Sequence, residues 1–378
     1  MKRVIILTSI LIMLLTGCQQ GESPDGANSS QVERPEVEEP RVEEPGSGEF
    51  NVTVTPINEV PNYFTPSNWL GDKKLFGISG SRLIIWNREN KQQRILAEDV
   101  WTGTISPTGK DVAYVNEQSL YVLDVEGGIS ISPVDLETKE KSIPVAHPMP
   151  YSWSPGGSKL IYAYDYEWSS EFYIYDSQTG TSKPYQFKNQ DNFLSYPVGW
   201  INNKQLLFLV SSSEPKTGKQ EYTESGYRNN LMIGDMAGNL QALTDNQDFN
   251  FVLSPYIGDG DNIAYILYNK NNDSKELHLL NPATGVDKVI TNKSNLHTAV
   301  ITANGQYILY HVKSNSADGS GQIYAVDLVS GKQKLVLEVT GSYSDLKMLS
   351  HNTKNQVIVT IKDSNDSKYE MKLINLSE

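Results

Sequence analysis

Residues 153–183 read WSPGGSKLIYAYDYEWSSEFYIYDSQTGTSK, and this stretch decides the fold. A bulky apolar residue, Trp153, precedes the turn Ser154-Pro155-Gly156-Gly157. Proline and glycine preset the backbone angles that such a turn needs. An alternating segment follows, KLIYAYDY (159–166), then a polar loop and a second alternating segment, EFYIYDS (171–177). Period-2 alternation separated by turn residues is the pattern of antiparallel strands. Gln178-Thr179-Gly180 then makes a tight turn into a further strand.

The same order recurs along the chain. Equivalent units open at Trp69, Ile105, Trp153, Trp200, Leu253, Ile301 and Leu349, spaced by 36, 48, 47, 53, 48 and 48 residues. A repeat of roughly 40–50 residues, each holding about four short strands, is the signature of propeller blades. The fold class expected is therefore all-β: a propeller of seven four-stranded antiparallel blades, with six as the alternative. The last unit ends at Glu378 without an outer strand, while Phe50 to Thr55 form a strand-like segment ahead of the first unit. That segment is expected to complete the last blade, so that the two chain ends close the ring and leave no open seam.

The repeat, SPxGxxhhY followed by hYhhDhxTG with h apolar, resembles the TolB-type propeller repeat, which is related to WD40-like blades. The resemblance covers nearly all of residues 60–378. It implies fold and says little of function. The arrangement as a whole is similar to the YqgU-like propeller lipoproteins of Gram-positive bacilli, a likeness that favours six blades. Relatives of the dipeptidyl-peptidase type follow such a propeller with an α/β-hydrolase domain, but GxSxG is absent from this chain.

Upstream of the repeat, residues 1–18 read MKRVIILTSILIMLLTGC. Lys2 and Arg3 form a positive start, and Val4 to Leu15 an apolar run of 12 residues, which suits a signal segment and is short for a membrane span. Leu15-Thr16-Gly17-Cys18 resembles a bacterial lipobox. The resemblance implies cleavage after Gly17, so that 1–17 is a signal peptide, and a diacylglyceryl thioether on Cys18. Cys18 is the chain's one cysteine, which leaves no intrachain disulfide. Two or more acyl chains anchor firmly, at about 0.8 kcal/mol per buried CH₂. Residues 18–49 form the lipidated end and an acidic Pro/Glu tether, ERPEVEEPRVEEP at its centre. Such a segment cannot bury enough apolar surface to order itself. The expected domain is 50–378, held at the extracytoplasmic face of the cell membrane.

Chemistry is sparse. The net charge of −13, or −15 once Lys2 and Arg3 are removed, argues against nucleic acid as a partner. HExxH, CxxC and Walker-type loops are missing, and no two of His147, His278, His297, His311 and His351 lie within four residues of each other. No metal site and no cofactor are expected. Asp124, Asp176, Asp235 and Asp327, with Asn281, precede the turns between third and fourth strands, where Asp and Asn accept hydrogen bonds from the turn backbone. Asn/Asp-rich loops such as 269–276 lack the EF-hand spacing for calcium. The aromatic run Tyr162, Tyr164 and Tyr166 with Phe172, Tyr173 and Tyr175 suits packing between blades. Trp168, in a hairpin loop, and Tyr222 and Tyr227, in the longest loop (211–230), are the candidate binding residues. The expectation is a monomeric, non-catalytic propeller serving as a binding or scaffold module for an envelope protein or glycan. The alternatives are an enzyme acting on an envelope glycan or peptide in the funnel, and a solute-capturing lipoprotein.

Overall fold

The computed structural model describes residues 50–117, 119–128, 130–131, 148–165, 170–188, 194–212, 228–246, 250–258, 262–314, 320–364 and 369–377. They form seven four-stranded antiparallel sheets, so the six-bladed alternative is excluded. Six blades are consecutive in sequence, spanning 64–97, 100–131, 148–185, 194–242, 250–291 and 296–339. Blade 7 contains Tyr343–Ser350, Gln356–Asp363 and Tyr369–Ser377, and its outermost strand is Asn51–Ile57 from the other end of the chain. Asn51 pairs with Ser377 and Ile57 with Met371, an unbroken antiparallel register over seven residues. The expected closure by the N-terminal strand is realised.

The alternation of the sequence has a direct structural meaning. In the second strand of blade 3 (Lys159–Asp165), Leu160, Tyr162 and Tyr164 face blade 2, where Ala113, Val115 and Val122 meet them. Ile161 and Ala163 face blade 4, against Trp200, Leu206 and Phe208. Both faces of the sheet are therefore buried. The same holds around the ring, where seven apolar clusters lie one to each interface between neighbouring blades. Phe64, Trp69 and Leu75 of blade 1 meet Ile358, Met371 and Leu373 of blade 7 and complete the circle. Tyr162 stacks on Tyr173 with ring centroids 5.4 Å apart, so this part of the aromatic run is packing between and within blades.

The repeated turn is explained by its own hydrogen bonds. Asp111 N donates to Ser106 Oγ (3.0 Å), Lys159 N to Ser154 Oγ (3.1 Å) and Tyr307 N to Thr302 Oγ1 (3.1 Å). Gly109, Gly157 and Gly305 close these turns at φ +75°, +72° and +69°, a region that side chains with a Cβ rarely adopt. The tryptophan ahead of the turn has a second task. Trp153 Nε1 donates to Thr104 O of blade 2 (3.3 Å), and Trp200 Nε1 to Ser152 O of blade 3 (3.0 Å), tying innermost strands together. Between blades 7 and 1, Asn352 Nδ2 donates to Trp69 O (3.1 Å) and Lys354 pairs with Asp72 at 2.7 Å.

A candidate ligand site on the innermost strands

The innermost strand of each blade is hydrogen-bonded on one side, and its other edge faces the ring axis. All seven of these strands carry a register shift, at 66/68, 100/102, 150/152, 197/199, 253/256, 296/298 and 343/345. A bulge leaves a residue without a partner opposite it and re-aims its side chain. The shifts fall at Trp101 and His297 themselves, whereas Met149, Tyr196 and Leu253 lie in the ladder opposite Ala163, Leu209 and Ile266.

One tier follows from the register. In each innermost strand the last apolar ladder residue before the turn is a fixed landmark: Ile105, Trp153, Trp200, Ile257 and Ile301 pair with Val112, Leu160, Leu206, Ile263 and Ile308. Four residues earlier stand Trp101, Met149, Tyr196, Leu253 and His297, on five consecutive blades. Trp101 is 63% exposed, Met149 37%, Tyr196 39% and Leu253 37%, and His297 is exposed as well. The other described large apolar side chains of the innermost strands are buried or half-buried, so the four exposed ones at a single register level form an apolar arc on blades 2 to 5.

The other side of the tier is polar. Ser254 Oγ donates to His297 O (3.3 Å). The His297 ring lies edge-on to His311, with centroids 5.4 Å apart, and His311 Nε2 is 2.6 Å from Tyr343 Oη. His311 is fully buried, and burial first, then the neighbouring His297 and Lys313, drive its pKa down to about 3. It is a neutral hydrogen-bonding ring at any ordinary pH. His297 is also shifted down, by desolvation and then by the charges of Lys313 and Lys275, with Asp345 opposing. Lys275 Nζ donates to Leu296 O (3.1 Å), and Lys313 Nζ sits 5.6 Å from the Tyr343 ring centroid. On the innermost strand of blade 7, Lys347 is exposed and lies 3.5 Å from Asp345. Gly321 makes room for the His311–Tyr343 contact, because a Cβ there would come within 2.5 Å of His311 Nε2 and 2.6 Å of Tyr343 Oη.

The acidic residues singled out in the sequence are turn residues. Asp124 Oδ1 accepts from Glu126 N and Gly127 N, Asp176 Oδ1 from Gln178 N, Asp235 Oδ1 from Ala237 N and Asn239 N, Asp327 Oδ1 from Val329 N, and Asn281 Oδ1 from Ala283 N. An ionic cluster lies instead on blade 5, with His278 and Tyr265 buried and the carboxylates of Asp287 and Glu276 partly exposed. Tyr265 Oη donates to Asp287 Oδ2 (2.6 Å), His278 Nδ1 is 3.1 Å from Asp287, and His278 Nε2 is 3.2 Å from Glu276. Among the described residues no group of three or more His, Cys, Asp or Glu side chains is placed to hold a metal ion.

Gly17, Cys18, His147, Trp168, Tyr222 and Tyr227 lie outside the described residues. Trp101, Met149, Tyr196, Leu253 and His297 share one register offset on five consecutive innermost strands, and the sequence pattern singles out none of them as a binding residue. Aligning the units on their sequence turns puts four of them at one offset, but not Leu253: the sequence pattern opens the fifth unit at Leu253, whereas Leu253-Ser254-Pro255 lies inside the strand Asn250–Ile257 and the turn follows Ile257. Taken strand by strand, however, Trp101 and Tyr196 look like ordinary core residues, because their exposure is not written in the alternation.

No family model matches the chain, and no curated protein matches it by sequence. Solved structures match its shape. The oligogalacturonate lyase of Vibrio parahaemolyticus superposes with a TM-score of 0.61 at 15% identity, covering 86% of this chain and 96% of that one. An oligogalacturonate lyase in complex with manganese gives 0.62 at 14% identity, covering 87% of this chain and 96% of that chain. The acylaminoacyl peptidase of Pyrococcus horikoshii gives 0.55 at 14%, over 82% of this chain and 50% of that one. At these identities the likeness shows the fold, a β-propeller. It does correct the expectation of a non-catalytic protein, since these neighbours of the same shape are enzymes. The physical reason is that a ring scaffold can assemble reactive groups from several blades, so no short motif need announce them.

Proposed function

We propose that this chain is a lipid-anchored protein of the cell envelope whose propeller takes a ligand into its central funnel. Cys18 carries the acyl chains, residues 19–49 space the ring from the membrane, and the innermost strands do the binding. The observation that carries the reading is the tier of Trp101, Met149, Tyr196 and Leu253, exposed at equal register on four consecutive innermost strands. Exposed large apolar groups gathered at one place on a protein surface mark a binding site. The lipobox at Leu15 to Cys18 and the likeness to YqgU-like lipoproteins support the anchored location.

Two measurements test this. The Cys18→Ser chain is expected to leave the membrane fraction, and its full retention there would refute the anchor. A photo-crosslinking amino acid at position 101 is expected to capture an envelope component in native membranes. The same probe at Val329, 86% exposed in a turn of blade 6, is the control. Identical capture at both positions, or capture at 101 that survives Tyr196→Ala with Leu253→Ala, would refute the funnel as the site.

A further inference from the structure

We propose that the funnel selects the C-terminal end of a peptide: a large apolar last side chain next to a free carboxylate. This rests on the funnel reading above and names its ligand class. Three features of the lining lead to it. The apolar arc contributes one residue per strand, Trp101, Met149, Tyr196 and Leu253, so it is one side chain deep and suits a single apolar group rather than a long acyl chain. Next to Leu253, whose neighbour Ser254 bonds His297 O, Lys275 and Lys313 act on His297 with Asp345 opposing, and Lys347 on the innermost strand of blade 7 pairs with Asp345 at 3.5 Å. This excess of cations occurs in a chain whose net charge is −13. The innermost strands, each hydrogen-bonded on one side only, also turn backbone N–H and C=O groups toward the axis. Such edges pair with peptide backbone, and capture of a terminal carboxylate beside a side-chain pocket is a known mode of peptide recognition.

In this arrangement the last side chain lies on Trp101 and Leu253, and the carboxylate turns toward the His297 side, near Lys313 and Lys347. Charge-assisted hydrogen bonds to a carboxylate are about twice as strong as neutral ones. An amide end therefore loses most of the polar half of the site.

The test is calorimetric titration of the mature lipidated chain in lipid nanodiscs, with empty nanodiscs as reference. Four probes are compared: acetyl-Ala-Ala-Phe with a free carboxylate, its C-terminal amide, acetyl-Ala-Ala-Ala with a free carboxylate, and chitotetraose. The Phe acid is expected to bind, with the amide and the Ala acid each weaker by tenfold or more. Trp101→Ala is expected to weaken the Phe acid by at least tenfold. Lys313→Gln with Lys347→Gln is expected to narrow the acid-to-amide ratio, and Val329→Ala to change nothing. All of these positions are exposed, and circular dichroism checks that each variant is folded. Equal binding of acid and amide, an unaffected Trp101→Ala variant, or no heat from either peptide overturns the assignment. Chitotetraose binding that is lost in Trp101→Ala, with both peptides silent, overturns the peptide end but leaves the funnel as the site. Silence of all four probes together with absent cross-linking at position 101 brings down both.

Discussion

Replacing Phe50 by alanine should open the ring at one seam and leave the rest of it closed. Phe50 is 5% exposed, and its ring centroid lies 5.3 Å from that of Tyr307 in blade 6. It packs with Leu309, Ile323, Val359 and Leu376, so it pins the start of the closing strand into the interface between blades 6 and 7. Beyond it, Val52 and Val54 are only half-buried on the same cluster, and Asn51, Thr53 and Thr55 are exposed. Phe50 is thus the one fully buried apolar anchor at that end of the strand. Truncating a buried Phe to Ala costs about 3–5 kcal/mol, and a site at the rim, which can collapse, falls near 3. At about 1.4 kcal/mol per factor of ten, the local opening constant rises roughly 10²-fold. Native-state hydrogen exchange reads this directly. Amides of Tyr369–Ser377 that bond to Asn51–Ile57 should exchange about 100-fold faster, by the same conversion, and those of Lys159–Asp165 in blade 3 should not change. Phe50→Leu should recover most of the protection, since it nearly conserves volume. Unchanged exchange in Tyr369–Ser377, or equal acceleration in every blade, would refute the idea that closure is a local seam pinned by this residue.

Further outcomes follow from other sites. Trp101→Ala should change thermal stability by no more than about 0.5 kcal/mol, because the side chain is 63% exposed; a loss like that of a core tryptophan would show it is structural. Gly77→Ala should destabilise by about 1–3 kcal/mol in a denaturation series, since its Cβ would strike Thr65 O, Pro66 Cα at 2.8 Å and Phe64 Cε2 at 2.9 Å. His278 has a raised pKa: burial opposes its charge, but hydrogen bonds and charge from Asp287 and Glu276 outweigh burial. Asp287 has a lowered one, because hydrogen bonds from His278 and Tyr265 outweigh its own burial. The histidine's contribution is complete below its unfolded value near 6.5 and fades as pH rises through the raised folded value; the carboxylate's is complete above about 4 and fades as pH falls. The difference in melting temperature between the native chain and His278→Gln should therefore be largest between about pH 4 and 6.5 and shrink by pH 9; a pH-independent difference would refute the ion-pair account.

Much of the architecture is legible in the amino-acid order alone. Ser106, Ser154 and Thr302, each with a glycine three residues on, announce the same hydrogen-bonded turn, and the spacing between such turns gives the blade. The acids ahead of the outer turns are equally legible, because Asp and Asn act there on backbone only two or three residues away. The funnel is not. Trp101 lies in VWTGTI and Tyr196 in LSYPVGWIN, segments whose composition suggests core. A one-residue bulge reverses which side of the strand points inward, and whether it forms depends on the partner strand and the neighbouring blade.

By itself the sequence determined the period, the strand-turn order, the all-β class and the supply of a strand from Phe50 to Thr55 to finish the last blade, because these depend on local alternation and on turn chemistry acting over a few residues. Only the tertiary structure decided that the ring has seven blades rather than six, that His311 is buried against Tyr343 32 residues away, and that five residues at one register offset on five innermost strands are exposed. Those facts depend on how sheets stack and on where each innermost strand slips by one residue. They arise from contacts between strands and blades far apart in the chain, and no local pattern encodes them.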